Sequence, residues 1–388
     1  MAQRAVPAAF IRGGTSKGVF FHDRDLPAEP GARDAIFLAA IGSPDPHGRQ
    51  LDGMGGGVSS LSKVVVIAPS DRPGIDIDYT FGQVVIGAAE VDYGATCGNL
   101  SSAVGPFAVD EGLIAVEDGE ALVRVHNTNT DKVFESRFPV AGGRAEVAGD
   151  FAIPGVAGTG ARIRLDYLDP GGAGTGKLLP TDSLIDHVEL PDGAVVEVSC
   201  VDATNACVFA AAADFGLTAA EPPAALEADV EAMARLEQLR ALAGVRMGLG
   251  ATAAEVSERS RSSPKLAILA PPTRAPTLDG GELTAEAQDL TVRMVSMGQV
   301  HRAVPLTGGM CLAVAAGLDG SIAHRLARAG CGSEADLRLG TPSGALPVGA
   351  RVRREGNGWA VERVVVYRTA RRLMQGQVLV PESRLLPA

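Results

Sequence analysis

The sequence predicts a mixed α+β fold built from two related halves, and three observations carry that prediction. Segments such as KVVVIAP (63–69), DIDYTFGQVVI (76–86) and ALVRVHNTNT (121–130) alternate or run with β-branched residues, as strands do, and are punctuated by Gly and Pro. Apolar residues recur at three- and four-residue spacing in 31–41, 218–248 and 283–299, which predicts helices there. Landmarks of the first half also return, in the same order, in the second.

In chain order, RGGTSKGVFF (12–21) reads as a turn before an apolar strand. Its two glycines, its hydroxyls and Lys17 have a shape that can present backbone N–H groups to an anion, the plainer reading being a hairpin with a solvated lysine. The run TSKGVF (15–20), with Asp25 beyond it, rhymes with TNACVF (204–209) followed by Asp214. KVVVIAP (63–69) rhymes with KLAILAP (265–271), and Cys97, ahead of a helix of small residues, rhymes with Cys311 in GGMCLAVAAG (308–317). Short Val/Ile/Ala strings recur by composition alone, but three landmarks in one order point to a duplicated domain. The turn-rich LDPGGAGTGKLLPTDS (168–183) marks the junction, giving domains 1–182 and 183–388, with the last residues returning to the first. Each half then offers one lysine and one cysteine to a shared cleft, Lys63 with Cys97 and Lys265 with Cys311, and such clefts are preferred small-molecule sites.

Composition narrows the function. At 388 residues the chain is long for one core, and with 46% hydrophobic and 21% charged residues it has the make-up of a soluble globular protein. No apolar run approaches the roughly eighteen residues of a membrane span, and MAQRAVPAAFIRGG lacks a signal-peptide pattern, so a cytoplasmic protein is expected. A net charge of −11, with no basic block beyond Arg371-Arg372, excludes a nucleic-acid surface and requires any anionic substrate to meet a locally positive pocket. The five cysteines (Cys97, Cys200, Cys207, Cys311, Cys331) form no CxxC pair, and the six histidines show no ligand spacing, so neither a disulfide framework nor a metal is expected.

Several glycine-rich stretches tempt and fail. GGAGTGKL (171–178) nearly fits a P-loop, but Leu178 stands where a Mg²⁺-holding Ser or Thr belongs, so it reads as a linker. GMGGGVSS (53–60) is not a dinucleotide fingerprint, and no GxSxG elbow is present. No cofactor is expected. Cys97 has two readings of equal weight. A thiol at a helix N-terminus meets unpaired N–H groups that favour a thiolate or hold a substrate carboxylate, yet cysteine is also among the most commonly buried residues. Lys63 reads either as a solvated strand end or as a base, since confinement disfavours an ammonium. Cys200, Cys207 and Cys331 read as structural. Arg302, in VHRAVPLTGG, either grips a carboxylate or caps the helix before it.

Taken together, RGGTSKGVFF (12–21), IGSPDPHGRQLDGMGGGVSSLSK (41–63), CGNLSSAVGPFA (97–108), FAIPGVAGTGA (151–161), TGKLLPT (175–181), VDATN (201–205), SPKLAILAPP (263–272), VHRAVPLTG (300–308) and RTARRLM (368–374) resemble the PrpF family, typified by 2-methylaconitate cis-trans isomerase. The resemblance implies a diaminopimelate epimerase-like fold of two pseudo-symmetric domains, each a barrel-like sheet wrapped round a central helix. It implies cofactor-free proton transfer at an allylic carbon of an unsaturated di- or tricarboxylate, with Lys63 and Cys97 matching the family's catalytic pair. Arg12, Gly14, Thr15, Ser16, Ser60, Gly98, Asn99, Arg302, Thr307, Gly308, Gly309 and Met310 are the substrate-binding candidates, and Lys265 and Cys311 the second-half counterparts of the pair. A homodimer and a pathway link to an aconitase-like enzyme are the partners it suggests. Two departures bear on substrate: Thr341 stands where members often carry a histidine, and Thr96 stands before Cys97 where the methylaconitate enzymes are expected to carry asparagine. The other readings are a 4-oxalomesaconate tautomerase or Δ-isomerase, a non-catalytic aconitase-accessory protein, and a racemase using Cys97 and Cys311 as paired bases.

Overall fold

The computed structural model describes residues 2–94, 96–260, 263–330, 336–356 and 358–385. The chain runs β1 (Gln3–Gly13), β2 (Ser16–His22), α1 (Pro30–Ile41), β3 (Lys63–Pro69), β4 (Ile77–Val84), β5 (Val91–Asp92), α2 (Ser101–Asp110), β6 (Gly119–Asn127), β7 (Lys132–Ala141), β8 (Arg144–Ala145) and β9 (Ile163–Leu168). It continues through β10 (Asp186–Glu189), β11 (Val195–Asp202), β12 (Ala206–Ala211), α3 (Pro223–Ala228), α4 (Val230–Arg246), α5 (Ala253–Arg259), β13 (Lys265–Ala270), β14 (Ala275–Pro276), β15 (Glu282–Leu283), β16 (Leu290–Ser296) and β17 (Gln299–Val300). It ends with α6 (Leu306–Gly317), α7 (Ile322–Leu326), β18 (Leu337–Thr341), β19 (Gly344–Glu355), β20 (Gly358–Arg368) and β21 (Ala370–Pro381). Two compact units result, one of Met1–Asp166 with Tyr367–Ala388 and one of Tyr167–Val366.

The first crossing between units precedes the 182/183 boundary read from the sequence, and the physical reason is local. The glycine-rich stretch is tied into the second unit by Asp202, whose carboxylate accepts from the amides of Gly174 at 2.8 Å and Thr175 at 2.6 Å. It is an anchored turn rather than a linker.

In the first unit β1 and β2 pair antiparallel, β2 and β3 parallel, β3 and β4 antiparallel, β4 and β6 parallel, and β6 and β7 antiparallel. In the second, β11, β12, β13, β16, β18 and β19 pair in the same succession of directions. Registers agree as well: Val19 lies opposite Val64 and Val208 opposite Leu266, as the sequence rhymes require. Each parallel pairing needs a crossover, so each unit has two. The outer one is α1 in the first unit and α3 to α5 in the second; the inner one is α2 or α6.

The outer crossovers are amphipathic and cover one sheet face. Glu29 caps α1 by accepting from the amides of Gly31 and Ala32, Pro30 follows at the first turn, and Ile36, Phe37, Ala40 and Ile41 join a core with Val19, Val64 and Val66. Asp229 caps α4, whose Leu236, Leu239 and Ala243 pack on Val198, Val208 and Ile268. The inner helices are apolar or small on almost every side, and α6 is buried along most of its length, as a helix enclosed by sheet must be.

One predicted helix is absent. Residues 283–299 form β15, β16 and β17, because Leu290, Val292 and Met294 alternate with Thr291, Arg293 and Val295 and both faces are buried. Leu283, Ala287, Leu290 and Met294 also fall at three- and four-residue spacing, which is why the segment reads as a helix. Arg293 is accommodated there by donating to the carbonyls of Glu221 and Val292. Among the described residues no helix is long and apolar enough to cross a membrane.

Candidate active site

The sequence's hairpin reading holds at residues 13–16, where Gly13 pairs with Ser16 across a two-residue turn. Gly14 has φ +51°, and a Cβ there would sit 2.3 Å from Asn99 Oδ1, so both conformation and space require glycine. The Gly14 amide is already bonded to the Thr369 carbonyl at 2.9 Å. Arg12 holds the same turn from below, donating through Nη1 to the carbonyls of Gly14 and Thr369. Burial pulls the Arg12 guanidinium below its usual value, and the neighbouring Arg371 adds to the effect. Asn99 closes the turn from the other side: its Nδ2 donates to Thr15 Oγ1 at 3.1 Å, and its Oδ1 accepts from Arg368 Nε at 3.1 Å. Ser16 is buried at the start of β2.

Lys63 opens β3 and is only 8% exposed. Its Nζ donates to Gln83 Oε1 at 2.6 Å and lies 4.8 Å from the centroid of the Phe81 ring. Gln83 faces Lys63 directly across the β3/β4 ladder, and Phe81 lies on the same face two residues before it. Ser60 lies in the short turn Ser59–Leu61 that precedes Lys63.

Cys97 is 7% exposed and stands in the turn leading into α2. Its carbonyl accepts from the Ser101 amide at 3.0 Å, and its sulfur accepts from the Leu100 amide at 3.5 Å, the position an N-capping side chain takes. Gly98 and Asn99 make up that turn. The segments that carry the two candidates meet at Gly18: a Cβ on it would lie 3.0 Å from the Lys63 carbonyl and 2.9 Å from Cδ1 of Leu100, three residues after Cys97. The hairpin meets the turn after Cys97 at Gly13, where a Cβ would lie 2.7 Å from the Asn99 carbonyl.

In the second unit the candidates have different surroundings. Lys265 opens β13 opposite Cys207 of β12, and burial pulls its amine below the usual lysine value. Cys311 is not placed as Cys97 is. It lies inside α6, is fully buried, and donates to the Val201 carbonyl at 3.4 Å; burial first, then Cys207, pushes its thiol well up. The rhyme between these two cysteines was one of composition, not of position. Arg302 caps no helix, since β16 and β17 precede it; both its Nη atoms pair with the Glu227 carboxylate, Nη2 at 2.8 Å. The Thr307 carbonyl accepts from Thr204 Oγ1, Gly308 lies against Met294, Gly309 lies near Leu346, and Met310 is fully buried. Thr341 ends β18 and donates to the Gly344 carbonyl. Cys200 and Cys207 are buried in β11 and β12, whereas Cys331 lies outside the described residues.

A family model described as "PrpF protein" matches residues 3–381. The chain belongs to the PrpF family. Over 390 residues it is 39% identical to 2-methyl-aconitate isomerase of Cupriavidus necator, covering 98% of each chain. Over 385 residues it is 38% identical to 3-methylitaconate isomerase of Eubacterium barkeri, covering 99% of each. The solved structure of a methylitaconate-delta-isomerase superposes with a TM-score of 0.89 at 37% identity, covering 100% of this chain and 98% of the other. A hydroxyproline epimerase from Agrobacterium vitis, 13% identical with a TM-score of 0.51 over 97% of this chain and 93% of the other, shares the fold alone. The PrpF chain thus has the epimerase-like fold that its motifs implied.

Residues outside the predicted set hold the candidates of this PrpF chain in place. Gln83 holds Lys63, and Arg368 holds Asn99 across most of the sequence. Asn129 accepts from the Phe81 amide at 2.8 Å and donates to the carbonyls of Phe81 and Tyr93, and Asn127 donates to Thr96 Oγ1, so one asparagine-rich turn fixes both the strand under Lys63 and the approach to Cys97. HNTNT (126–130) was visible as a cluster of side chains that bond to backbone, and RTARRLM as a motif. Neither says which distant residue it holds.

Proposed function

We propose that the chain is a cofactor-independent isomerase that moves a proton at an allylic carbon of an unsaturated tricarboxylate of the 2-methylaconitate or aconitate type. The observation that carries the reading is a buried lysine opening β3 and a buried cysteine before α2, on segments that meet at Gly18 through the Lys63 carbonyl and Leu100, in a PrpF chain whose relatives are named as isomerases of methylaconitate and methylitaconate. One of the pair removes a proton from the carbon beside the alkene and carboxylate: a C–H bond breaks, an N–H or S–H bond forms, and the electron pair spreads over the alkene and carboxylate as a dienolate. Return of a proton to the far allylic carbon shifts the double bond. Rotation about the weakened bond, with return to the original carbon, exchanges cis for trans. Substrate carboxylates are held by Arg12, the Thr15–Ser16 end of the hairpin and Asn99, where positive charge and hydrogen-bond donors gather against a globally acidic protein.

The product, a tricarboxylate alkene, is a substrate for hydration by an aconitase-like enzyme, and we place the protein beside such an enzyme in the cytoplasm, as a homodimer. The test is proton NMR in D₂O with cis- and trans-aconitate, 2-methylaconitate, methylitaconate and 4-oxalomesaconate, on the wild type and on Lys63→Ala and Cys97→Ala. Isomerisation or deuterium uptake with a methylaconitate- or aconitate-type acid, lost in both variants, is expected. Turnover of 4-oxalomesaconate alone would replace the substrate, and turnover that survives Lys63→Ala would remove the base.

A further inference from the structure

Lys63 has three N–H donors as an ammonium, and two with one lone pair as an amine. To work at a carbon it must alternate between those forms while its nitrogen stays in place. We propose that Gln83 is the positioning residue for Lys63: its amide oxygen accepts a hydrogen bond that either form of the nitrogen can donate, fixing where Nζ points without committing it to one charge. The inference rests on the proposal that Lys63 moves the substrate proton.

The geometry supports the role at each atom of the amide. Gln83 Nε2 donates to the Ser62 carbonyl at 2.8 Å and to the Ser59 carbonyl at 3.2 Å. With two carbonyls on its nitrogen side, the amide has one orientation, and its oxygen is turned to Lys63 Nζ at 2.6 Å. Both carbonyls belong to the turn that leads into Lys63, so the amide locks the backbone before the lysine and the end of its side chain together.

Glutamate would be nearly isosteric and would pair with the ammonium, favouring that form strongly. Among the described residues of its own unit, no carboxylate pairs with Lys63. Among the described residues, none of the ionisable groups on the elements packed against it is bonded to Lys63. Asp78 of β4 bonds to His126 and Ser70, His22 of β2 to Glu111, and Asp23 to Arg33. Lys17 lies over the Phe10 ring, Asp92 of β5 accepts from the Gly94 amide, and Asp25, Arg24, Tyr79 and Cys97 are the remainder.

The chain contains only five lysines, so the titration of Lys63 can be followed without substrate through the ¹³Cε shift of labelled lysine, assigned with Lys63→Arg. In Gln83→Glu the midpoint should rise by about one pH unit or more, and the rising limb of the pH–rate profile with 2-methylaconitate or methylitaconate should move with it. Gln83→Met adds no charge. It should lower kcat by about tenfold or more with KM nearly unchanged, as expected when a proton-transfer group loses its alignment, and a thermal melt shows whether either variant is folded. A folded Gln83→Glu with the wild-type Lys63 midpoint, or a folded Gln83→Met with wild-type kcat, overturns the inference. Full activity in Lys63→Ala overturns the function proposal instead, and leaves the midpoint measurement to decide whether Gln83 governs the lysine.

Discussion

Lys63 and Lys265 begin matching strands of two units that share a pairing order and a register, yet the residues on the facing strands differ. Val65 faces Phe81 on the neighbouring strand in the first unit; at the matching place in the second, Ala267 faces Met294. Lys63 has an amide oxygen on Nζ, while β16 contains no glutamine. The inner helix differs too, since Cys97 stands before α2 at its amide end whereas Cys311 is enclosed inside α6. The two units therefore share a frame and differ in their polar fittings. The teaching is that a shared strand position does not fix what a lysine meets: Lys63 donates to a glutamine on the facing strand, while Lys265 lies opposite Cys207.

The largest expected effect breaks the symmetry outright. Lys63→Met or Cys97→Ser should reduce kcat by about 10²- to 10⁴-fold, the usual contribution of a positioned acid or base, while Lys265→Met and Cys311→Ala should keep kcat within about tenfold and register mainly in Tm. Steady-state rates with 2-methylaconitate decide it. Comparable losses at both lysines would make the two units equal partners in the chemistry.

The next effect is in stability and belongs to the second unit. Burial, then the charges of Lys265 and Arg302, hold the pKa of His301 down to about 4 from its ordinary value of 6.5. Between those values the unfolded chain binds a proton that the folded chain refuses, so stability is full above pH 6.5 and falls as the pH drops towards 4. The loss amounts to about 3 kcal/mol. Urea denaturation across that range should show it, His301→Gln should flatten it, and Lys265→Met should make it shallower by removing one of the two charges. Lys265 itself, pulled below 10.5, adds stability of the same sign as pH rises at the alkaline end. A flat acid limb in the wild type would put His301 in solvent.

A smaller effect tests the first unit's hairpin. Gly14→Ala places a side chain at φ +51° and drives it into Asn99, which should cost about 1–2 kcal/mol and raise KM, with the shift in Tm and the saturation curve as readouts. Unchanged KM in a destabilised variant would separate the turn from substrate binding.

How far the sequence told this story follows from the range of each signal. The repeat was legible because it is written in register: TSKGVF against TNACVF and KVVVIAP against KLAILAP align strands that lie side by side in each unit. The hairpin was legible because two glycines and two hydroxyls have few other uses. Residues 283–299 misled because Leu283, Ala287, Leu290 and Met294 also fall at three- and four-residue spacing, while the strand alternation Leu290-Thr291-Val292-Arg293-Met294 spans only five residues. Cys311 misled because a small-residue helix looks alike whether the cysteine precedes it or sits within it. Gln83 and Arg368 were beyond reach, since a glutamine facing a lysine needs the strand register and an arginine on Asn99 needs the return of the chain.

Arg302 sharpens the comparison last. The family resemblance places it among residues that bind substrate, but its guanidinium is matched on both Nη atoms by Glu227, which also accepts from the Val300 amide at 3.0 Å. The pair raises the arginine's value and lowers the glutamate's, each chiefly through the hydrogen bond between them. Its side chain is 52% exposed, so water screens the pair and its loss should cost less than about 1 kcal/mol. Arg302→Gln should then leave KM within about twofold and Tm only slightly lower. Glu227→Gln, which frees the guanidinium while leaving an acceptor for Val300, should do no more. A tenfold rise in KM for Arg302→Gln, unaccompanied by one for Glu227→Gln, would mean that the arginine leaves its partner when substrate arrives, and would return it to the substrate-binding candidates.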